Sequence, residues 1–287
     1  MSDLKSLAIK LATQGPHKVL PTERLIQLIF AGTYVARSTK AQYVWEHPFY
    51  PQYYVPAITF DTAHISHREP IVDSSSGATV AEQWTLSPAS ASSSANGGEK
   101  PKSTDQVIAF AEGLSGPAVP LRGLVKVAFD AMDTWLEEST PIHIHPKDPF
   151  KRIDIIASSR RVKVSLDGIL VADTPWGLHL YETGLPRRFY LPLTAVVDVS
   201  VLRRTGTTTG CPYKGTARYW SVDLSAKGGG VHEDVVWGYE TPTIESAAIA
   251  GLLCFYNEKV DIELDGEKLA RPDTHFGKTK PGTKPSV

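Results

Sequence analysis

The chain has 287 residues, of which 41% are hydrophobic and 21% charged, with 30 Lys and Arg set against 31 Asp and Glu. This composition excludes a chain disordered throughout, and without a basic excess there is no general grip on nucleic acid. No apolar run approaches the ~20 residues of a membrane span, and two cysteines, Cys211 and Cys254, cannot make a disulfide scaffold or a four-cysteine zinc site.

Met1 to Gln14 is mildly amphipathic, with neither a long apolar core nor a small-residue cleavage site, so it does not read as a signal peptide. A cytoplasmic location is the default expectation. Arg24 to Pro56 then aligns without a gap on Arg160 to Pro192, at a constant offset of 136. Seven of the 33 positions are identical: Arg24/Arg160, Gly32/Gly168, Val35/Val171, Ala36/Ala172, Glu46/Glu182, Tyr54/Tyr190 and Pro56/Pro192. Ala81 and Trp84 continue the register to Ala217 and Trp220. Further on the offset is read as 128, pairing Gly123-Leu124 with Gly251-Leu252, Asp133 with Asp261 and Leu136 with Leu264. The first copy thus carries extra residues where composition collapses to Ser87-Pro-Ala-Ser-Ala-Ser-Ser-Ser-Ala-Asn-Gly-Gly98, and the spacing predicts a flexible loop over 87–104. Two homologous domains follow, about 17–140 and 150–272, with a Lys/Pro/Gly-rich tail at 273–287 expected to be disordered.

The second copy reads mainly as strands. Val162, Val164 and Leu166 alternate with polar residues before an Asp167-Gly168 turn, and Ile169–Ala172 returns. Leu178–Glu182, Arg188–Leu191, Ala217–Leu224, Asp234–Tyr239 and Val260–Leu264 make further strands. Thr243–Phe255 is read as a helix, with Glu245 in its first turn and Ile249, Leu252 and Leu253 as its apolar stripe. The fold class is mainly β, α+β: two tandem domains of antiparallel sheets, each with one helix.

The copies differ chemically. At offset 136, Cys211-Pro212-Tyr213-Lys214 faces Ser75-Ser76-Gly77-Ala78; at 128, Trp237 and Tyr239 face Ala109 and Ala111. A thiol, an amine and large aromatics where the first copy has small residues point to a site in the second copy and a degenerate first. Tyr181-Glu182-Thr183-Gly184-Leu185-Pro186, Arg188-Phe189-Tyr190-Leu191-Pro192, Cys211-Pro212-Tyr213-Lys214-Gly215 and Phe255-Tyr256-Asn257-Glu258-Lys259 resemble the DUF427 family, domains of unknown function often found in tandem. The resemblance covers nearly the full length. It implies a β-tent-like fold, in which two antiparallel sheets meet at an angle. Some relatives of that fold bind zinc through paired Cys-x-x-Cys motifs, which this chain lacks, so no zinc site carries over.

The residues allow several chemistries. Cys211 is a candidate nucleophile, with Lys214 three residues on and His232 the nearest later histidine; a buried, inert thiol is the alternative. Glu182 and Lys214 are candidates for acid/base work, although Glu182 has its mate Glu46 and could equally brace a turn against Arg188 or Lys214. Arg188, Tyr190, Tyr213, Tyr219, Trp237 and Tyr239 are candidate walls of a small-molecule cleft, while Trp220, mated with Trp84, belongs to the core. Gly206 to Lys214 fails the phosphate-loop pattern. Some classifications label the resembled family as nucleotidyltransferases. The chain has no Gly-Ser dipeptide to support that, and Asp261, Glu263 and Asp265 read as a solvated strand edge. His143 and His145 read as surface residues of the connector. The expectation is a metal-independent, cofactor-free enzyme acting on a small organic metabolite by acid/base or thiol chemistry, or else a non-catalytic ligand-binding or protein-interaction module, with nucleotidyl transfer as a minor alternative. A small-molecule ligand or substrate is the expected partner, nucleic acid and membrane are not, and a homo-oligomer is left open.

Overall fold

Alternating apolar and polar residues between short turns force antiparallel strands in pairs. A computed structural model of the protein describes residues 4–87 and 102–278. Most of the loop expected at 87–104 lies outside the described residues, as does the tail beyond 278. The chain divides into two units, Met1–Asp148 and Pro149–Val287.

The first unit opens with helix α1 (Leu4–Gln14) and continues through β1 (Lys18–Pro21), β2 (Ile26–Phe30), β3 (Thr33–Ser38), β4 (Gln42–Trp45), β5 (Gln52–Pro56), β6 (Ile65–Val72), β7 (Thr79–Leu86), β8 (Thr104–Phe110), β9 (Leu124–Val127), β10 (Thr134–Glu137) and β11 (Thr140–Ile142). The second unit holds β12 (Ile153–Ser158), β13 (Val162–Leu166), β14 (Ile169–Thr174), β15 (Gly177–Glu182), β16 (Arg188–Leu191), β17 (Leu202–Cys211), β18 (Gly215–Asp223), β19 (Val231–Tyr239), β20 (Leu253–Phe255), β21 (Asp261–Leu264) and β22 (Glu267–Lys268). The first unit's sheets run β1-β4-β5-β9-β8-β7-β6 and β11-β10-β2-β3; the second's run β12-β15-β16-β20-β19-β18-β17 and β22-β21-β13-β14. The order is the same strand for strand. The Ala31-Gly32 and Asp167-Gly168 turns both take positive φ at both residues, at 49° and 75° and at 52° and 76°, as a two-residue hairpin requires.

The central strands of each seven-stranded sheet are buried on both faces, while the edge strands β6 and β17 are largely exposed. In the first unit one face meets the four-stranded sheet through Leu28, Phe30, Tyr53, Trp84 and Trp135. The other face packs Tyr54, Ile108 and Phe110 against Ala8 and Leu11 of α1. In the second unit, Val164, Phe189, Val236 and Ile262 fill the space between the sheets, with Trp220 packed partly buried against them. Its outer face carries Tyr190, Tyr219, Trp237, Tyr239, Cys254 and Tyr256.

The strand register corrects the sequence alignment. Ala81 pairs with Phe110 in the first unit and Ala217 with Tyr239 in the second, so Phe110 is the mate of Tyr239 and Ile108 of Trp237. The offset there is 129, not 128. It is 128 only at β9/β20, where Lys126 opposite Tyr54 matches Cys254 opposite Tyr190. At β10/β21 it is 127, so Glu137 matches Leu264. A slip of one residue exchanges the faces of a strand, which is why Trp237 seemed to face an alanine.

The helix expected at 243–255 is a second correction. The chain makes a 3-10 helix only at Ile244–Ile249, then turns at Gly251, φ 71°, into β20. Ile244 is exposed, and Leu253, read as part of a helical stripe, belongs to a strand buried on both faces. Periodicity alone cannot separate a short apolar strand from a helix segment. Inside the stretch expected to be an unstructured tail, His275–Lys278 forms one helical turn, preceded by Thr274, whose hydroxyl donates to Glu258 at 2.7 Å.

Candidate functional site

Glu182 is the last residue of β15, and Lys214 sits in the loop between β17 and β18. Cys211 pairs directly with Gly215, so Pro212-Tyr213-Lys214 is a three-residue connection. Two hydroxyls clamp it from the 3-10 segment: Thr243 and Ser246 both donate to the Tyr213 carbonyl, and the Thr243 amide donates to the Lys214 carbonyl at 3.2 Å. The clamp delivers the Lys214 Nζ to the Glu182 carboxylate at 2.5 Å. Their side chains are 10% and 7% exposed. Burial alone would lower the Lys214 ammonium, but Cys211 and Glu182 outweigh it, and it stands above the ordinary lysine value. The amine is therefore bonded to a carboxylate, with the Cys211 thiol near enough to add to the rise. Cys211 is only partly buried, whereas Cys254 is fully buried and its thiol is pushed up to about 12 by that burial.

The remaining predicted residues gather behind this group and largely satisfy one another. Arg188 makes a two-pronged ion pair with Glu258, at 2.6 and 2.7 Å, and donates to Asn257 at 2.7 Å. Its guanidinium lies over the rings of Trp237 and Tyr256 at 5.4 and 5.9 Å. The Trp237 indole donates to the Tyr190 hydroxyl at 3.2 Å, and the Tyr219 hydroxyl meets Thr209 at 2.9 Å and Tyr256 at 3.4 Å. Tyr239 is buried, and burial raises its hydroxyl well above the ordinary value. Tyr213 is buried and contributes its carbonyl to the clamp. The aromatic residues are thus a packed wall. His232 is not brought to Cys211: it pairs with Asp167 at 2.8 Å, at the other end of the β18–β19 ladder.

The first unit carries a related pair that sequence comparison missed. Glu46, the mate of Glu182, takes Lys126 from β9, and the Tyr54 hydroxyl donates to Glu46 at 3.0 Å. Both charged side chains are nearly buried, at 8% and 12% exposure. The signal was present: Leu124-Val-Lys-Val127 is a strand buried at every residue, and lysine is almost never fully buried without a partner. The two copies keep one glutamate and fill it with lysines from different strands, and β20 puts Cys254 where β9 has Lys126.

Of the other sequence candidates, Asp261 pairs with Lys268 and Arg271, Glu263 with Lys163, and Asp265 with Arg160. His145 stacks on Tyr50 at 4.1 Å between centroids. Among the described residues, no group of three or more His, Cys, Asp or Glu is placed to hold a metal ion. No helix among them is long and apolar enough to cross a membrane. A family model described as a domain of unknown function, DUF427, matches residues 18–138 and again residues 154–266. No curated protein matches the chain.

Proposed function

The chain belongs to the DUF427 family, twice over, and from that premise we propose that its second copy is a small-molecule enzyme site built on Cys211, Lys214 and Glu182. The observation that carries this reading is the buried Lys214–Glu182 pair, held in the three-residue connection that begins at the partly buried Cys211. A thiol beside an ammonium is the arrangement nucleophilic cysteines use, and a carboxylate within hydrogen-bond reach of the amine can take up or return a proton. As a thiolate, its proton given up to solvent, Cys211 adds to the electrophilic carbonyl carbon of a small organic metabolite: the S–C bond forms as the C=O π bond breaks, and the oxygen takes a proton from the Lys214 ammonium, which regains one from solvent. Lys214 balances the charge on sulfur before attack, and Glu182 keeps the ammonium oriented. Arg188, Tyr190, Tyr213, Tyr219, Trp237 and Tyr239 act as the rigid backing of this site, because most of their polar atoms are occupied within the wall. The substrate therefore approaches at the Cys211 mouth.

The test is alkylation of the folded protein with iodoacetamide across pH 5 to 10, in a Cys254→Ser background. Cys211 reacts in the folded state, and Lys214→Met slows it about tenfold or more at neutral pH while Lys214→Arg retains most of the rate. A Cys211 that reacts only on unfolding, or at the same rate in Lys214→Met, removes this reading.

A further inference from the structure

In the aromatic wall of the second unit, the tyrosine hydroxyls bond to their neighbours with one exception. Tyr190 accepts from Trp237, and Tyr219 meets both Thr209 and Tyr256. The Tyr239 hydroxyl makes no hydrogen bond among the described residues, although the residue is only 5% exposed. Nor is it sealed in, because the His179 Nε2 is the one fully enclosed side-chain nitrogen or oxygen among the described residues that lacks a partner. A buried tyrosine normally finds a partner for its hydroxyl, so this one is left open to a group that the folded chain does not supply.

The strand register brings Tyr239 to the Cys211 end of β17. Across β17, β18 and β19, Thr209 pairs with Ala217 and Ala217 with Tyr239. Cys211 lies two residues beyond Thr209, so its side chain leaves the same face of β17. That face is the outer one, since the Thr209 hydroxyl meets Tyr219 of the wall at 2.9 Å. Between the end of β17 and Tyr239 stands only the methyl of Ala217, over two strand spacings, about 10 Å. Cys211 and Glu182 are both near enough for their charges to act on the Tyr239 hydroxyl. Burial, the largest effect, holds that hydroxyl well above the ordinary tyrosine value, so it keeps its proton and serves as a donor. The first unit shows that the fold does not need this oxygen. There Ala81 pairs with Phe110, whose ring stacks on Tyr54 at 5.9 Å, and the unit holds no cysteine. The hydroxyl and the exposed thiol belong to the same copy.

We propose that the Tyr239 hydroxyl is the hydrogen-bond donor to the carbonyl oxygen of the substrate at Cys211. The proposal rests on Cys211 as the nucleophile and adds the group that selects a carbonyl for it. As the S–C bond forms and the C=O π bond breaks, negative charge gathers on the oxygen. Tyr239 donates to that oxygen without giving up its own proton, and the proton that the oxygen takes comes from Lys214. A fixed donor aimed at the developing charge favours addition to a carbonyl carbon and has nothing to act on in displacement at a saturated carbon.

The test compares p-nitrophenyl acetate with iodoethane on the full chain in the Cys254→Ser background, with Cys211→Ala as the blank. In the first reaction Cys211 takes the acetyl group through an oxyanion and p-nitrophenolate leaves; in the second, sulfur displaces iodide and no oxygen takes part. Tyr239→Phe slows the acylation about tenfold or more and leaves the ethylation within about twofold. It loses no stability in urea, because Phe110 fills the matching place in the first unit. Lys214→Met, by contrast, slows both reactions, because it acts on the thiolate. A Tyr239→Phe variant that slows neither reaction, or slows both alike, overturns the proposal and leaves the Cys211 reading standing. A Cys211 that reacts with neither reagent overturns both.

Discussion

At the scale of single residues, the buried lysines carry the argument. Lys126 and Lys214 each answer a glutamate inside the protein, with side chains no more than 12% exposed across both pairs. Removing one member of such a pair strands the other charge in a poorly solvated place, which costs about 3–5 kcal/mol, whereas replacing both members by apolar residues costs little. Lys214→Met and Lys126→Met should therefore each lose about 3 kcal/mol in urea unfolding, and Lys214→Met combined with Glu182→Leu should recover most of it. The two lysines then part company. Only Lys214 adjoins a partly exposed thiol, so Lys126→Met should leave Cys211 alkylation unchanged. If the two variants slowed alkylation equally, the loss would be general softening, and the chemistry assigned to Lys214 would fail.

At the scale of elements, the Cys211–Gly215 connection is the part that the second copy has rebuilt. Gly215 sits at φ +96°, and a Cβ there would meet the Thr241 carbonyl at 3.3 Å. Gly168 also has positive φ, at +76°, but open space around it. Gly168→Ala should cost about 1 kcal/mol of backbone strain alone. Gly215→Ala should cost more and also shift Lys214 away from Glu182, lowering the Cys211 alkylation rate; an unchanged rate would mean that the clamp does not position the amine. How much of this was legible in the sequence varies by element. The tandem repeat and the Ala31-Gly32 and Asp167-Gly168 turns were plain, because hairpin turns need particular residues at particular places. Glu182, Lys214 and Cys211 were legible as a group because Cys-Pro-Tyr-Lys has no match in the first copy. Lys126 was not, because its partner Glu46 lies 80 residues away and only the strand order brings β9 beside β5. Trp237 was mismated because single residues are gained between β8 and β9 and again between β9 and β10, and such gains are invisible where few side chains are identical. The short helix was overread because Leu252 and Leu253 suit a helical stripe as well as a strand.

At the scale of the whole molecule, burial of six tyrosine hydroxyls and one thiol fixes how stability depends on alkali. Burial raises Tyr54, Tyr190 and Tyr239 well above the ordinary tyrosine value, raises Tyr53, Tyr219 and Tyr256 as well, and pushes Cys254 from 9.0 up to about 12. Each of these groups keeps its proton in the folded protein after the unfolded chain has released it. Stability is therefore complete below about pH 9 and falls as pH rises, first through the Cys254 window between 9.0 and about 12 and then, from about pH 10, through the tyrosines. Lys214 adds to the loss in the same direction: its folded value lies above the ordinary 10.5, so its contribution is whole below 10.5 and disappears as pH climbs past the folded value. Every such group adds up to about 1.4 kcal/mol per pH unit to the slope. The distribution is uneven. Tyr53 and Tyr54 belong to the first unit, while Tyr190, Tyr219, Tyr239, Cys254, Tyr256 and Lys214 belong to the second. The second unit should thus be the first to unfold as pH rises from 9 to 11, with tyrosinate absorbance and urea unfolding moving together. Cys254→Ser should remove the part of the slope that begins below pH 10. A flat stability curve up to pH 11 would mean that the aromatic wall of the second unit is open to water, and the packed backing assigned to the Cys211 site would have to be given up.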